Sequence, residues 1–198
     1  MLRFSRIIFG AVALSVVAVP VSWTSEWSEN AEVRQRLTAV VTYRAKLEGN
    51  VLIVEATHGE GWHTYAMDNI ERARKKSGKE SPETELPTRL DVAGGLALDG
   101  AWYQTDPKEL SQLDIKWYTW GWDSVARFAA KVKRVSGDPA TITINGQACN
   151  ASLCSMVDGV TLTLPVPSAE DFGSAESDFD FSTLVEAVPG NQSLLRED

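Results

Sequence analysis

Long apolar runs are missing from most of this 198-residue chain. After Val21 no segment is apolar enough to span a bilayer, which needs about 20 apolar residues. Basic residues are in deficit: 19 Lys and Arg stand against 27 Asp and Glu, a net charge of −8. That balance argues against nucleic acid as a partner. Histidine is reduced to His58 and His63, and cysteine to Cys149 and Cys154. Two Cys and two His could make a ligand set. However, Cys-x4-Cys far downstream of His-x4-His is not a common zinc-finger order, and neither a metal nor another cofactor is expected. There is also no Cys-x-x-Cys. A thioredoxin-type catalyst uses that spacing at a helix amino terminus, where the dipole lowers the thiol pKa, so that class is excluded.

What is present begins with an export signature. Arg3 and Arg6 precede a stretch from Ile7 to Val21 without a charge, short for a spanning helix and broken by Pro20. This fits a signal peptide over residues 1–25, with an uncleaved amino-terminal anchor as the alternative. No cysteine follows the stretch, which excludes a bacterial lipoprotein anchor. The expected location is the periplasm or the outer face of the membrane. About 170 residues remain, enough for one domain with a sizeable core. The negative charge is concentrated at the other end. Between Ser168 and Asp198 eight acids face a single base, Arg196. Residues 168–198 therefore read as an acidic tail, disordered and separate from a domain over residues 31–167. Phe172, Phe179, Phe181, Leu184 and Val185 leave room in it for a short docking motif.

The middle of the chain alternates with period two. Leu52, Val54 and Ala56 can face a core while Glu55 and Thr57 face water. Phe128, Ala130 and Val132, then Ile142 and Ile144, then Val160, Leu162, Leu164 and Val166 repeat the pattern. Such alternation marks antiparallel strands covering one core. Thr38 to Leu47, Trp62 to Met67 and Leu86 to Val92 are weaker strand candidates. Glu48-Gly49-Asn50 and Gly137-Asp138-Pro139 are turn signals. Seven or more short strands predict an all-β, immunoglobulin-like antiparallel sandwich. Asp68 to Glu85, with its basic run, reads as a solvated loop with room for one helical turn, a docking patch being the alternative.

In an exported protein a close cysteine pair is either a small structural staple or a reversible redox couple. Cys149 follows the Ile142–Ile144 strand and Cys154 precedes the Val160–Val166 strand, which predicts a hairpin tip. Directly opposed residues there have Cα atoms about 4.5 Å apart, a separation that suits a disulfide. The closed loop is small and stabilises by only about 2 kcal/mol. A hairpin tip is also within reach of another protein's thiol. Both points favour exchange over stapling. Asp158 is the nearest charge after the pair, so the thiols carry no strong intrinsic activation, and reactivity would depend on a docked partner's thiolate.

Three groups of residues then occur in one order: Gly61-Trp62-His63-Thr64-Tyr65 after a strand, Pro87-Thr88-Arg89-Leu90 some way on, and Cys149-x4-Cys154 before Leu162-Thr163-Leu164-Pro165. Over roughly Val33 to Pro167 the chain resembles the amino-terminal periplasmic domain of the DsbD thiol:disulfide interchange proteins. The resemblance implies an immunoglobulin-like sandwich that passes reducing equivalents from a membrane electron-carrier protein to thioredoxin-like oxidoreductases, including those of disulfide isomerisation and cytochrome c biogenesis. It implies that Cys149 and Cys154 are the exchanging thiols, with Cys154 attacked first. It implies shielding by Trp62, His63 and Tyr65, and by a cap loop that Tyr118, Trp120 and Gly121 would form. An ordinary core role for the cluster Trp117, Tyr118, Trp120 and Trp122 is the alternative. The chain departs from the family in having Ser155-Met156-Val157 where many members have an early proline. The family's membrane channel and thioredoxin-like domain also have no counterpart in this sequence, so either separate proteins supply them or the domain serves another role.

Two functional classes result. One is an exported thiol–disulfide relay. The other is a non-redox immunoglobulin-like binding domain with a structural disulfide and an acidic docking tail.

Overall fold

The structure is a computed structural model and describes residues 23–173 and 177–187. The proposed signal segment lies outside the described residues, apart from its last three positions. The described chain forms β1 (Ala31–Gln35), β2 (Thr38–Glu48), β3 (Val51–His58), β4 (His63–Tyr65), α1 (Asn69–Ser77), β5 (Arg89–Gly94), β6 (Leu96–Gln104) and β7 (Lys108–Glu109). It continues with β8 (Trp120–Trp122), β9 (Val125–Arg134), β10 (Ala140–Cys149), β11 (Cys154–Leu164), α2 (Ala169–Gly173) and β12 (Val185–Glu186). One sheet runs β1-β2-β3-β9-β6-β12, and the other runs β11-β10-β4-β8-β7 with β5 on the free half of β10. All the pairings are antiparallel. The expected all-β sandwich is what the chain forms.

Alternation explains the core. Leu52, Val54 and Ala56 of β3, Phe128, Ala130 and Val132 of β9, and Ile142 and Ile144 of β10 point into one buried cluster with Tyr43, Leu47 and Trp122. Each fully buried Val, Leu, Ile or Phe contributes roughly 1.5–3 kcal/mol. The β2–β3 hairpin closes at Gly49-Asn50, where Glu48 faces Val51. Gly49 has φ 55°, the left-handed first position that a tight two-residue hairpin turn requires.

Two expectations are corrected. Asp68 to Glu85 holds a nine-residue helix rather than a single turn. Asn69 and Ala73 bury one side of α1, Arg72 donates to Asp68 at 2.8 Å, and Arg74, Lys75 and Lys76 sit in the last turn, favourably placed for the dipole. The basic run reads as solvated because only two of its helix's positions, Asn69 and Ala73, are fully buried.

The second correction concerns the acidic tail. Residues 177–187 dock on the domain. Val51 and Ile53 of β3, with Ala129 of β9, make an apolar patch on the outer face of their sheet, covered by Phe179, Phe181, Leu184 and, from the amino-terminal side, Trp27. Val185 and Glu186 pair with Gln104 and Tyr103, so β12 covers what would otherwise be the exposed edge of β6. Ala187 is buried, and its N–H donates to the Trp102 carbonyl. Composition alone missed this because the aromatics of the tail are diluted among acids that stay in water. Residues 188–198 lie outside the described residues.

Candidate functional site

Cys149 and Cys154 are directly opposed at the tip of the β10–β11 hairpin and form a disulfide, with Cα atoms 4.0 Å apart. The tip is Asn150-Ala151-Ser152-Leu153. Asn150 organises it: its side-chain oxygen accepts from Ser152 N (2.8 Å) and Leu153 N (3.0 Å), and its own N–H donates to the Leu153 carbonyl at 2.9 Å. An Asn side chain closes the turn through its own backbone neighbours, the role for which Asn is favoured in turns.

The two sulfur-bearing residues occupy unlike positions. Cys149 lies between two strands, opposed by Cys154 on one side and by His63 of β4 on the other. It is 3% exposed. Cys154 lies on β11, an edge strand, and is exposed. Exposed apolar side chains stand nearby along the chain: Leu153 at 42% and Met156 at 58%. A 2.8 Å bond from Ser155 Oγ to Gln35 Oε1 brings the β1–β2 turn to the same end of the sandwich, where Leu37 is 91% exposed.

Strand alternation sorts the expected shielding residues. Opposed residues share a face, so His63 lies on the face of the disulfide, and Tyr65, two positions on, lies there with it. Their rings meet edge to face at 5.3 Å, and His63 Nε2 is 3.0 Å from the Tyr65 hydroxyl. Trp62 and Trp120 do not join them. Trp62 is buried in the core, and Trp120, adjacent to core residue Trp122, packs against that core and lines a groove with Asp68, Arg72 and Lys76. Gly121 faces Tyr65 across the β4–β8 ladder. A Cβ there would lie 2.0 Å from the Thr64 carbonyl oxygen, so glycine is required for the strands to approach. Tyr118 sits on the β7–β8 hairpin, which runs away from the cysteines. Counting along the strands from His63 through the Tyr65–Gly121 pair places it about 16 Å off at ~3.3 Å per residue. The expected cap is corrected in this respect: Trp120 and Trp122, two positions apart on β8, share its core-facing side, and Tyr118 precedes the strand on the hairpin.

Residues 84–88 run alongside Tyr65 and Gln147 of the same sheet. Thr88 N–H donates to the Tyr65 carbonyl, and Leu86 N–H donates to Gln147 Oε1 at 3.3 Å. Asn69, fully buried, holds this segment: Nδ2 donates to Thr84 Oγ1 (3.1 Å) and the Glu85 carbonyl (3.0 Å), while Oδ1 accepts from Thr119 Oγ1 and Trp120 N. Asn69, Glu85 and Gln147 gave no signal in the sequence, since each owes its role to residues far away in the chain.

Burial lowers the pKa of His63, and the carboxylates of Glu85 and Asp123 pull in the other direction. Burial raises the Tyr65 hydroxyl, and Glu85 adds to that. His58 is likewise lowered by burial, although Ser124, whose carbonyl its ring contacts, favours its charge. Its other ring nitrogen lies 2.7 Å from Thr64 Oγ1. Both histidines are thus tied into the same end of the sandwich. Among the described residues there is no cluster of three or more His, Cys, Asp or Glu able to hold a metal ion, and no helix is long and apolar enough to cross a membrane. Comparison with family models, curated proteins and solved structures finds no match to this chain.

Proposed function

We propose that this domain is a thiol–disulfide relay acting outside the cytoplasm, with Cys149 and Cys154 as its exchanging couple and thioredoxin-like proteins as its partners. One of these would be fed by a membrane electron carrier, and the reducing equivalents would serve exported disulfide chemistry, including cytochrome c biogenesis. The observation that carries the reading is the asymmetry of the pair: one half is buried between strands and the other exposed on an edge, with Leu153 and Met156 exposed beside it.

In such a relay a partner thiolate attacks Cys154 Sγ. The S–S bond breaks, and its electron pair leaves on Cys149. The partner's second thiol then resolves the mixed disulfide. The partner departs oxidised and the domain keeps two thiols. The reverse sequence passes those electrons to a target disulfide. The edge position makes Cys154 the accessible electrophile, while Cys149 is out of reach of a docked protein.

The test is trapping. Cys149→Ala leaves Cys154 as a lone nucleophile and should accumulate a mixed disulfide with a thioredoxin-like protein. Cys154→Ala should accumulate much less. The reduction potential should lie above about −300 mV, in the range of exchanging rather than structural disulfides. If no mixed disulfide forms and the potential falls below that value, the pair is a staple, and a non-redox binding domain takes the place of this reading.

A further inference from the structure

We propose that His63 serves the leaving sulfur of this couple, by donating a hydrogen bond or a proton to Cys149 as the disulfide opens. The inference rests on the relay reading above and extends it to a residue that acts on the buried half of the pair.

When the disulfide opens, the charge develops on Cys149, which is 3% exposed. A thiolate out of contact with water needs a donor or a proton, since burial of an uncompensated charge is costly. Directly opposed side chains on antiparallel strands have Cβ atoms about 4.5–5.5 Å apart, and Cys149 has His63 in that position. Across the sheet Cys149 is paired only with Cys154 and His63 among the described residues. The Tyr65 hydroxyl sits on Nε2 of the ring. That leaves Nδ1, the nitrogen nearer the strand backbone, for the neighbouring sulfur. Tyr65 and Glu85 are positioning residues in this scheme: the first holds the ring edge-on, and the second supplies a negative charge that favours its protonated form.

The groups around the ring set the sign. Burial opposes the charged ring, as the lowered pKa of His63 records, and Glu85 and Asp123 favour it. His58, the other histidine at this end, interacts unfavourably with it when both are charged. With the disulfide intact the ring is therefore mostly neutral at pH 7. A thiolate forming on Cys149 adds an opposite charge, which raises the proton affinity of the ring at that moment. Protonation in advance, at lower pH, should make Cys149 a better leaving group.

The experiment is reduction of the full chain by dithiothreitol from pH 5 to pH 8, with each rate divided by the thiolate concentration of the reductant. The first dithiothreitol thiolate forms the mixed disulfide on Cys154, its second thiol closes the cyclic disulfide, and the protein gains two thiols. The corrected rate constant should be about tenfold larger at pH 5 than at pH 8, the scale of one charge-assisted hydrogen bond. In His63→Gln the profile should be flat. In Glu85→Gln, which keeps the backbone carbonyl that Asn69 holds, the rise should persist with its midpoint moved to lower pH. A flat profile in the unaltered protein overturns the inference, as does an unchanged rise in His63→Gln. Should His63→Gln fail to fold, an unmoved midpoint in Glu85→Gln overturns it. Because the reductant is a small dithiol, failure of the relay reading appears separately, as absence of exchange with any thioredoxin-like protein.

Discussion

Phe181→Ala tests whether the carboxy-terminal segment is part of the domain. The Phe181 ring stands edge to face with Tyr103 at 4.8 Å and with Phe179 at 4.9 Å. Beneath these rings lie Val51, Ile53 and Ala129, all buried although they point away from the main core. Truncating a fully buried Phe costs about 3–5 kcal/mol. Phe181 is half-buried, so about half of that remains, and the two ring pairs contribute within it at about 0.5–1.5 kcal/mol each. The expected loss is about 2 kcal/mol, or about 4–8 °C in melting temperature for a chain of this size. Calorimetry of the full chain and of Phe181→Ala under one buffer gives the comparison. Ending the chain after Pro167 should cost at least as much and add self-association, since it bares both the apolar patch and the edge of β6. A melting temperature within 1 °C of the parent for both variants would refute the docked segment.

Three further outcomes follow from packed side chains. Glu55 is 5% exposed at its side chain and accepts from Arg44 Nε and Arg127 Nε, each at 3.0 Å. Burial works to raise its pKa, but the two guanidinium groups outweigh it and hold the carboxyl below its ordinary value. A lowered carboxyl pKa stabilises the fold above the unfolded value of 4.5, and that stability is lost as pH falls through the folded value, so acid titration of stability should begin below pH 4.5 and flatten in Glu55→Gln. Replacing Arg44 and Arg127 together should cost about 3–5 kcal/mol, because it strands a buried carboxylate, as chemical denaturation at pH 7 would read. Trp120→Ala should lower stability by about 2 kcal/mol without speeding dithiothreitol reduction, because the half-buried indole packs on the core. Faster reduction at unchanged stability would place Trp120 over the disulfide instead.

Much of the sandwich was legible before any coordinates. The inward residues of β3, β9 and β10 follow from period two alone, as do the β10–β11 hairpin and the opposition of its cysteines. Those features are local: they depend on alternation and on turns only a few residues long. Val51 and Ile53 carry the same alternation on the opposite face of β3. A strand apolar on both faces needs a second cover, and the chain supplies it from its own acidic tail.

Local pattern alone set the class of fold, the place of the disulfide at a hairpin tip, and the two cysteines that form it. The tertiary structure decided which cysteine is buried, because that depends on β4 pairing with β10 while, among the described residues, no strand pairs with the far edge of β11. It also decided that His63 opposes Cys149, that Trp62 and Trp120 turn to the core, and that Asn69 secures the segment at Thr84 and Glu85. Each of these is a pairing between positions distant in the chain. Register across a sheet is set by how the whole hydrophobic surface is buried, and no local pattern records it.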